Sequence, residues 1–226
     1  MLEWMALPQH KRARSVLVKK LCREGLEAAY THVRAFHGCR PTDIPSYLRH
    51  GIRPLSRETV VADARRLLLG KGRPPVTRAI LAKALRQVIT DRAYQGVYLA
   101  VDERHLMKYA GHYMVYGSEA LAAVAAILTT ELHWNVQALL LEHGTPTVFV
   151  ADVPCGCISS ADLVELRDAV VEELGCTNQA HPSDLDLTLR LARALPSTAI
   201  RTYYSIPRVH DPLRWREYVH RGQTSP

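Results

Sequence analysis

The sequence predicts an α+β fold in which helices fill the middle of the chain and strands lie before and after them. Short runs rich in β-branched and aromatic residues, typical of strands, occur at 31–36, 96–101, 147–154 and 200–206. The stretches between them repeat apolar residues at helical spacing. With 226 residues, 47% of them hydrophobic, the chain is long enough for one large domain or two small ones.

The charge of the chain narrows its partners. A formal net charge of +7 favours anionic partners: nucleic acid, nucleotide phosphates or an acidic protein surface. No stretch of about 18 or more apolar residues free of charges occurs, and Met1 is followed by Glu3 rather than by a basic and apolar leader. We therefore expect a cytoplasmic protein with no membrane partner.

The cysteines do not indicate a metal site. They are odd in number, and one close pair is present, Cys155-Gly-Cys157, without the second pair that a four-ligand zinc site usually has. We expect reduced cysteines that pack as small hydrophobic residues, and no metal. A zinc site built from His32, Cys39 and the close pair is the alternative. The five are Cys22, Cys39, Cys155, Cys157 and Cys176.

A basic amphipathic helix is predicted from Lys11 to His32, so residues 1–31 form a basic N-terminal segment. The letters KRAR at its start precede apolar residues at roughly helical spacing, namely Val16, Leu17, Leu21, Leu26 and Tyr30. A solvated helix face accounts for the cations, and contact with phosphate groups is the alternative.

The first predicted strand, THVRAF, runs directly into His37-Gly38. Taken alone, this pair is most simply a core histidine followed by a turn. A short helix then begins after Pro41, with Thr42 or Asp43 as its N-cap. We expect that helix to end at Gly51 in a left-handed C-cap.

Two predicted helices, Ser56–Gly70 and Pro75–Ala93, make a helical insertion at 56–93. The predicted strand at 96–101 follows, and it gives way to a helical pattern through His105, Leu106, Tyr109, Ala110 and Tyr113. The later predicted elements are a strand at 147–154, a helix at 160–174 and a strand at 200–206.

The order of these motifs resembles the ADP-ribosyltransferase superfamily. The motifs are His37-Gly38, Gly51-Ile52, the strand Gly96-Val-Tyr-Leu-Ala, and the helix bearing Tyr109-Ala110 and Tyr113. The branch that they resemble is that of diphtheria toxin and the poly-ADP-ribose polymerases, with its His-Tyr-Glu pattern. The resemblance covers about 31–205. It implies a single domain over 1–226 with a split antiparallel or mixed sheet, flanking helices and a helical insertion.

The resemblance also implies NAD as the cofactor. His37 would then bind the adenosine ribose hydroxyl, and the backbone of Gly38 would pair with the nicotinamide carboxamide at close range. Tyr98 and Tyr113 would stack on the nicotinamide ring. Splitting the glycosidic bond passes through an oxocarbenium-like cation, so the protein has to hold both groups and leave the anomeric carbon open.

Three further residues belong to the implied NAD site. Arg40, just beyond the first strand, would approach the pyrophosphate. Cys39 takes the place of the small Thr or Ser that the relatives carry, and Tyr109 lies on the same helical motif as Tyr113.

The catalytic glutamate of the branch has no counterpart in the late predicted strand, where Ser197 or Thr198 is expected to occupy its place. A hydroxyl cannot take up a proton as a carboxylate can. We therefore predict Glu119 as the substitute and transfer of a single ADP-ribose, with His37, Tyr98 and Glu119 as the catalytic set. The alternative for Ser118-Glu119 is a capped helix N-terminus.

The sequence thus predicts an NAD-dependent mono-ADP-ribosyltransferase whose acceptor is unknown, with nucleic acid favoured by the charge. One alternative is an NAD-dependent RNA 2'-phosphotransferase-like enzyme, with the phosphate held by His105, His112, Arg201 and Arg208. The other is a non-catalytic module that binds a nucleotide or nucleic acid through the basic helix and the link Lys71 to Arg73.

Overall fold

The computed structural model describes residues 1–89, 96–175 and 182–220. At the centre of these residues is a five-stranded sheet with the strand order β4-β2-β1-β3-β5, and each pairing within it is antiparallel. A separate hairpin of two strands follows. The strands are β1 (His32–Cys39), β2 (Val97–Ala100), β3 (Thr147–Pro154), β4 (Thr188–Leu191), β5 (Ile200–Ser205), β6 (Arg208–Asp211) and β7 (Arg216–Val219). The predicted combination of helices and antiparallel strands is confirmed.

The α-helices of the described residues are α1 (Lys11–Glu24), α2 (Ile44–His50), α3 (Arg57–Leu68), α4 (Arg78–Val88), α5 (Glu103–Tyr109), α6 (His112–Tyr116), α7 (Glu119–Leu132), α8 (Ala138–Leu141) and α9 (Ser160–Gly175). Short 3-10 helices occupy Trp4–Ala6, Cys155–Cys157 and Ser197–Ala199. None of the helices in these described ranges is long and apolar enough to cross a membrane.

Helix starts follow from local side-chain hydrogen bonds. Asp43 accepts from the Ser46 amide at 3.1 Å, and Ser56 accepts from the Thr59 amide at 3.1 Å. Each bond satisfies one of the amides that a helix leaves free in its first turn. The predicted starts of α2 and α3 are therefore confirmed, and Gly51 ends α2 with a positive φ of 77°.

The sheet separates two apolar layers. On one face, α1 and α9 pack against strand residues such as Val33 and Ala151. On the other face, α3, α4 and α7 pack around Ala100 and Val148. Side chains of a strand alternate between the two faces of a sheet, so each strand contributes to both layers. The helical insertion supplies part of the second layer.

Three predicted boundaries differ from the structure. The first helix ends at Glu24 instead of His32. The helix predicted through Tyr113 is broken between α5 and α6 at Ala110 and Gly111. The His210 carbonyl oxygen of β6 lies where a Cβ at Gly111 would be, so this close approach requires glycine. The last helix of the insertion ends at Val88, and the rest of its predicted length, 90–93, lies outside the described residues, as does Cys176.

Candidate active site

The pairing between β1 and β2 ends where the predicted NAD residues begin. In the described chain these two strands are in register at one pair, Phe36 and Ala100. The next facing residues, Gly38 and Tyr98, are not paired; instead, Nδ1 of His37 lies 2.9 Å from the Tyr98 carbonyl oxygen. We call this region, between Gly38 and Tyr98, the β1–β2 gap.

The backbone of Gly38 points into the β1–β2 gap. The Leu2 amide donates to the His32 carbonyl and the Arg34 amide donates to the Leu2 carbonyl, each at 2.8 Å, on the edge of β1 that faces away from β3. Backbone groups of a strand alternate between its two edges. Phe36 uses the same edge to pair with β2, and the Gly38 amide and carbonyl therefore face that edge too.

The position of Gly38 excludes a side chain unless its neighbours move. A Cβ there would lie 3.1 Å from Leu106 Cδ1 and 3.3 Å from Met114 Cγ. These two apolar side chains belong to α5 and α6. They close one side of the gap, so a flat ligand would meet the glycine backbone and an apolar wall together.

Tyr98, Tyr113 and Glu119 lie close to one another beside the gap. Burial raises the pKa of the Tyr113 phenol to about 12, and the Glu119 carboxylate and Tyr98 add to the shift. Tyr113 therefore stays protonated at neutral pH. The Tyr98 side chain, on β2, is 42% exposed, which leaves its ring open to a ligand.

Glu119 is placed by a helix cap. The Ser118 hydroxyl accepts from the Leu121 amide at 3.2 Å, so Ser118 caps α7 and Glu119 is the first residue of that helix. The capped N-terminus expected for this pair is confirmed. The same cap holds the carboxylate in the first turn, beside Tyr113.

His37 presents one free ring nitrogen. A carbonyl oxygen only accepts hydrogen bonds, so Nδ1 donates to Tyr98 and Nε2 is the acceptor of the neutral ring. Burial lowers the pKa of His37, which keeps the imidazole neutral at pH 7. A neutral acceptor at this place is suited to a ligand hydroxyl.

The strand that borders β2 is β4, which the sequence did not predict. In β4, Arg190 is paired with Tyr98, and a Cβ at Gly96 would lie 3.2 Å from Arg190 Cγ. Arg190 therefore adds a cation on the face that carries Tyr98. The pattern Thr-Leu-Arg-Leu does alternate between polar and apolar residues, but four residues are too few to distinguish a strand from a loop.

The two residues expected at the place of the family glutamate lie far from β2 in the sheet. Ser197 and Thr198 lie in the 3-10 helix before β5, and β5 pairs with β3 at the far edge of the sheet. β1 and β3 separate it from β2. The residue that begins the strand next to β2 is Thr188, paired with Ala100. This position also lacks a carboxylate.

Two predicted NAD residues are used elsewhere. Cys39 is buried in the layer of α1 and α9, and this burial raises the pKa of its thiol to about 12. The Arg40 guanidinium donates to the carbonyls of Leu141 at 2.6 Å, His143 at 2.7 Å and Met114 at 3.3 Å. The Arg40 side chain therefore links α6 to the end of α8, and it is not available to a pyrophosphate.

Tyr109 ends α5 and is 48% exposed, with Lys108 Nζ 4.8 Å from its ring centroid.

The residues predicted to hold phosphate in a 2'-phosphotransferase do not form one cluster in the structure. His105 lies 3.0 Å from Asp186, and Arg201 lies on β5. His112 stacks on Tyr113 at 4.1 Å with its Nδ1 buried and unpaired, and Arg208 lies on β6.

A cavity of about 290 Å³ lies at the opposite end of β1, near His32 and Thr198. The charged groups beside it are already paired: Asp152 lies 3.1 Å from both Arg34 and Arg201, and Glu3 lies 2.8 Å from Arg34. We place the candidate site at the β1–β2 gap, because the unpaired Gly38 backbone, the His37 ring and the exposed Tyr98 ring border it.

Across the described ranges, no three His, Cys, Asp or Glu side chains are grouped to hold a metal ion. Comparison with family models, with curated proteins and with solved structures finds no match to this chain. The assignment of the candidate site therefore rests on the geometry of the β1–β2 gap and on the resemblance of the sequence motifs.

Proposed function

We propose that the protein is an NAD-dependent mono-ADP-ribosyltransferase whose site is the β1–β2 gap. One observation carries the proposal. The register of β1 and β2 ends at Phe36, and the Gly38 amide and carbonyl face the gap beside Tyr98. This backbone pair matches the donor and acceptor of a carboxamide.

We place the nicotinamide end of NAD in the gap. Its carboxamide would donate to the Gly38 carbonyl and accept from the Gly38 amide, with its ring against Leu106 and Met114. Tyr98 lies near enough to Tyr113 to contribute to the raised pKa of its phenol. Either aromatic ring could stack on a flat heterocycle.

The ribose and phosphates of NAD have partners of suitable chemistry. Nε2 of His37 would accept from a ribose hydroxyl, because Nδ1 is held by the Tyr98 carbonyl. Arg190, opposite Tyr98 on β4, places a positive charge on the face of the sheet where the pyrophosphate would lie.

In the transfer step, the bond between the ribose C1' and the nicotinamide nitrogen breaks, and nicotinamide leaves with the bonding electrons. A lone pair of the acceptor forms the new bond to C1', and the acceptor proton passes to Glu119. The protonated Tyr113 phenol beside Glu119 orients that carboxylate. Thr188 supplies no second carboxylate next to β2, which favours transfer of one ADP-ribose over chain growth.

The test is incubation of the protein with NAD labelled in its nicotinamide ring, with and without added protein and nucleic-acid acceptors. We expect release of labelled nicotinamide, loss of release in His37→Ala, and normal release in His50→Ala, whose histidine is exposed on α2. The proposal is overturned if NAD is neither bound nor split and His37→Ala changes only the stability of the fold.

A further inference from the structure

The hairpin of β6 and β7 has one buried and one exposed face. Its four cross-strand pairs join Arg208–Asp211 to Arg216–Val219. Val209 is 1% exposed, and the Tyr116 hydroxyl donates to Asp211 at 2.8 Å, so the face with these two residues packs on α6. Because paired residues share a face and neighbours alternate, the other face carries Arg208, His210, Glu217 and Val219. Arg216 is paired with Asp211 and begins β7 directly after the turn, where it is exposed.

An exposed tryptophan lies at the turn of the hairpin. The Trp215 side chain is 83% exposed, its backbone has a φ of 52°, and its ring lies edge-on to that of His210 at 6.0 Å. Burying an indole is among the most favourable contributions of any side chain. An indole left in water beside exposed Leu213 (64%) therefore indicates a binding surface.

The charge around Trp215 is positive. Arg208, Arg214 and Arg216 are all exposed. Of the two carboxylates in the hairpin, Asp211 is fully buried, and Glu217 lies 3.6 Å from His210. An anionic partner is therefore favoured over an uncharged, apolar partner.

We propose that the outer face and turn of this hairpin bind single-stranded nucleic acid, with a base stacked on Trp215 and phosphates held by Arg208 on the outer face and by Arg214 and Arg216 at the turn. An aromatic platform beside spaced cations is the arrangement that binds unpaired strands.

The hairpin is attached to the helix that borders the β1–β2 gap. Tyr116, which bonds to Asp211, follows Tyr113 by one turn of α6. The start of the same helix touches the β6 backbone at Gly111 and His210. The hairpin would then present a nucleic-acid acceptor to the β1–β2 gap. This role of the hairpin rests on the proposed function.

The test is fluorescence anisotropy with labelled 12-nucleotide oligo(dT) and oligo(U), without NAD. We expect Trp215→Ala to weaken binding about tenfold or more. Replacing Arg208, Arg214 and Arg216 by Gln should reduce the slope of log affinity against log salt by about 2. The oligonucleotide that binds more tightly identifies the preferred nucleic acid.

Matched controls remove an equal group elsewhere. Tyr203→Ala deletes an exposed aromatic ring on β5, and the triple change Lys11→Gln, Arg12→Gln and Lys19→Gln deletes three exposed cations on α1. Both should bind like the wild type.

The proposal is overturned if neither oligonucleotide binds, if Trp215→Ala binds like the wild type, or if the α1 variant alone loses affinity. It is also overturned if phosphatidylserine vesicles, and not oligonucleotides, require Trp215. Because NAD is absent, these outcomes are separate from those of the nicotinamide assay.

Discussion

The two edges of β1 differ in how completely they are paired. Toward β3 the strand is in register over all eight of its residues, whereas toward β2 it is in register at Phe36 alone. We call these the closed edge and the open edge. The same strand therefore acts as a structural support on one side and exposes backbone groups on the other. The open edge coincides with His37-Gly38.

The closed edge should carry more of the stability. Phe149, which is paired with His37 and fully buried, stacks on Tyr47 at 4.7 Å. We expect Phe149→Ala to lower the free energy of unfolding by about 3–5 kcal/mol in urea titrations. Tyr98→Ala, on the open edge, should cost only about 0.5 kcal/mol. Equal losses in the two variants would contradict the comparison.

The open edge should carry the chemistry. If Glu119 accepts the proton of the acceptor, Glu119→Gln should slow nicotinamide release about 100-fold or more and leave the unfolding free energy nearly unchanged. Glu131→Gln is the matched control, because it lies on the same helix in an exposed ion pair with Lys83 at 2.8 Å. Normal turnover in Glu119→Gln would exclude Glu119 as the base.

A methyl group at Gly38 should narrow the open edge. In Gly38→Ala, the new Cβ presses on Leu106 and Met114, so we expect NAD affinity, measured by calorimetry, to fall about tenfold. The control is Gly156→Ala, since a Cβ there meets no atom within 4 Å. An unchanged affinity in Gly38→Ala would place the nicotinamide elsewhere.

The smallest expected effect is on pH dependence. Burial lowers the pKa of His37 from 6.5, so the unfolded chain binds a proton more readily than the folded one. The stability that the neutral ring contributes is therefore present above about pH 6.5 and lost as the pH falls below it. Melting temperatures between pH 7.5 and 5.5 should fall less in His37→Gln than in the wild type. An identical fall in melting temperature in both proteins would show that His37 does not contribute to the pH dependence of stability.

Local features of the site were predictable, and their long-range partners were not. The cap at Ser118 and the strand at His37-Gly38 follow from residue type and spacing. In contrast, Arg40 was expected near a pyrophosphate and instead binds three carbonyls around α8. Those carbonyls belong to residues 74, 101 and 103 positions further along the chain, and no short sequence pattern encodes such a contact.

Sequence alone determined the helix starts at Asp43 and Ser56, the strand at 147–154 and the glycine that faces β2, because hydrogen bonds and side-chain alternation within a few residues fix them. Only the tertiary structure decided which strand borders β2. Strand order depends on pairings between distant segments, whose free energies are set by burial on both faces of the sheet. That order placed Thr188 and Arg190 beside Tyr98 and moved Ser197 and Thr198 to the far edge.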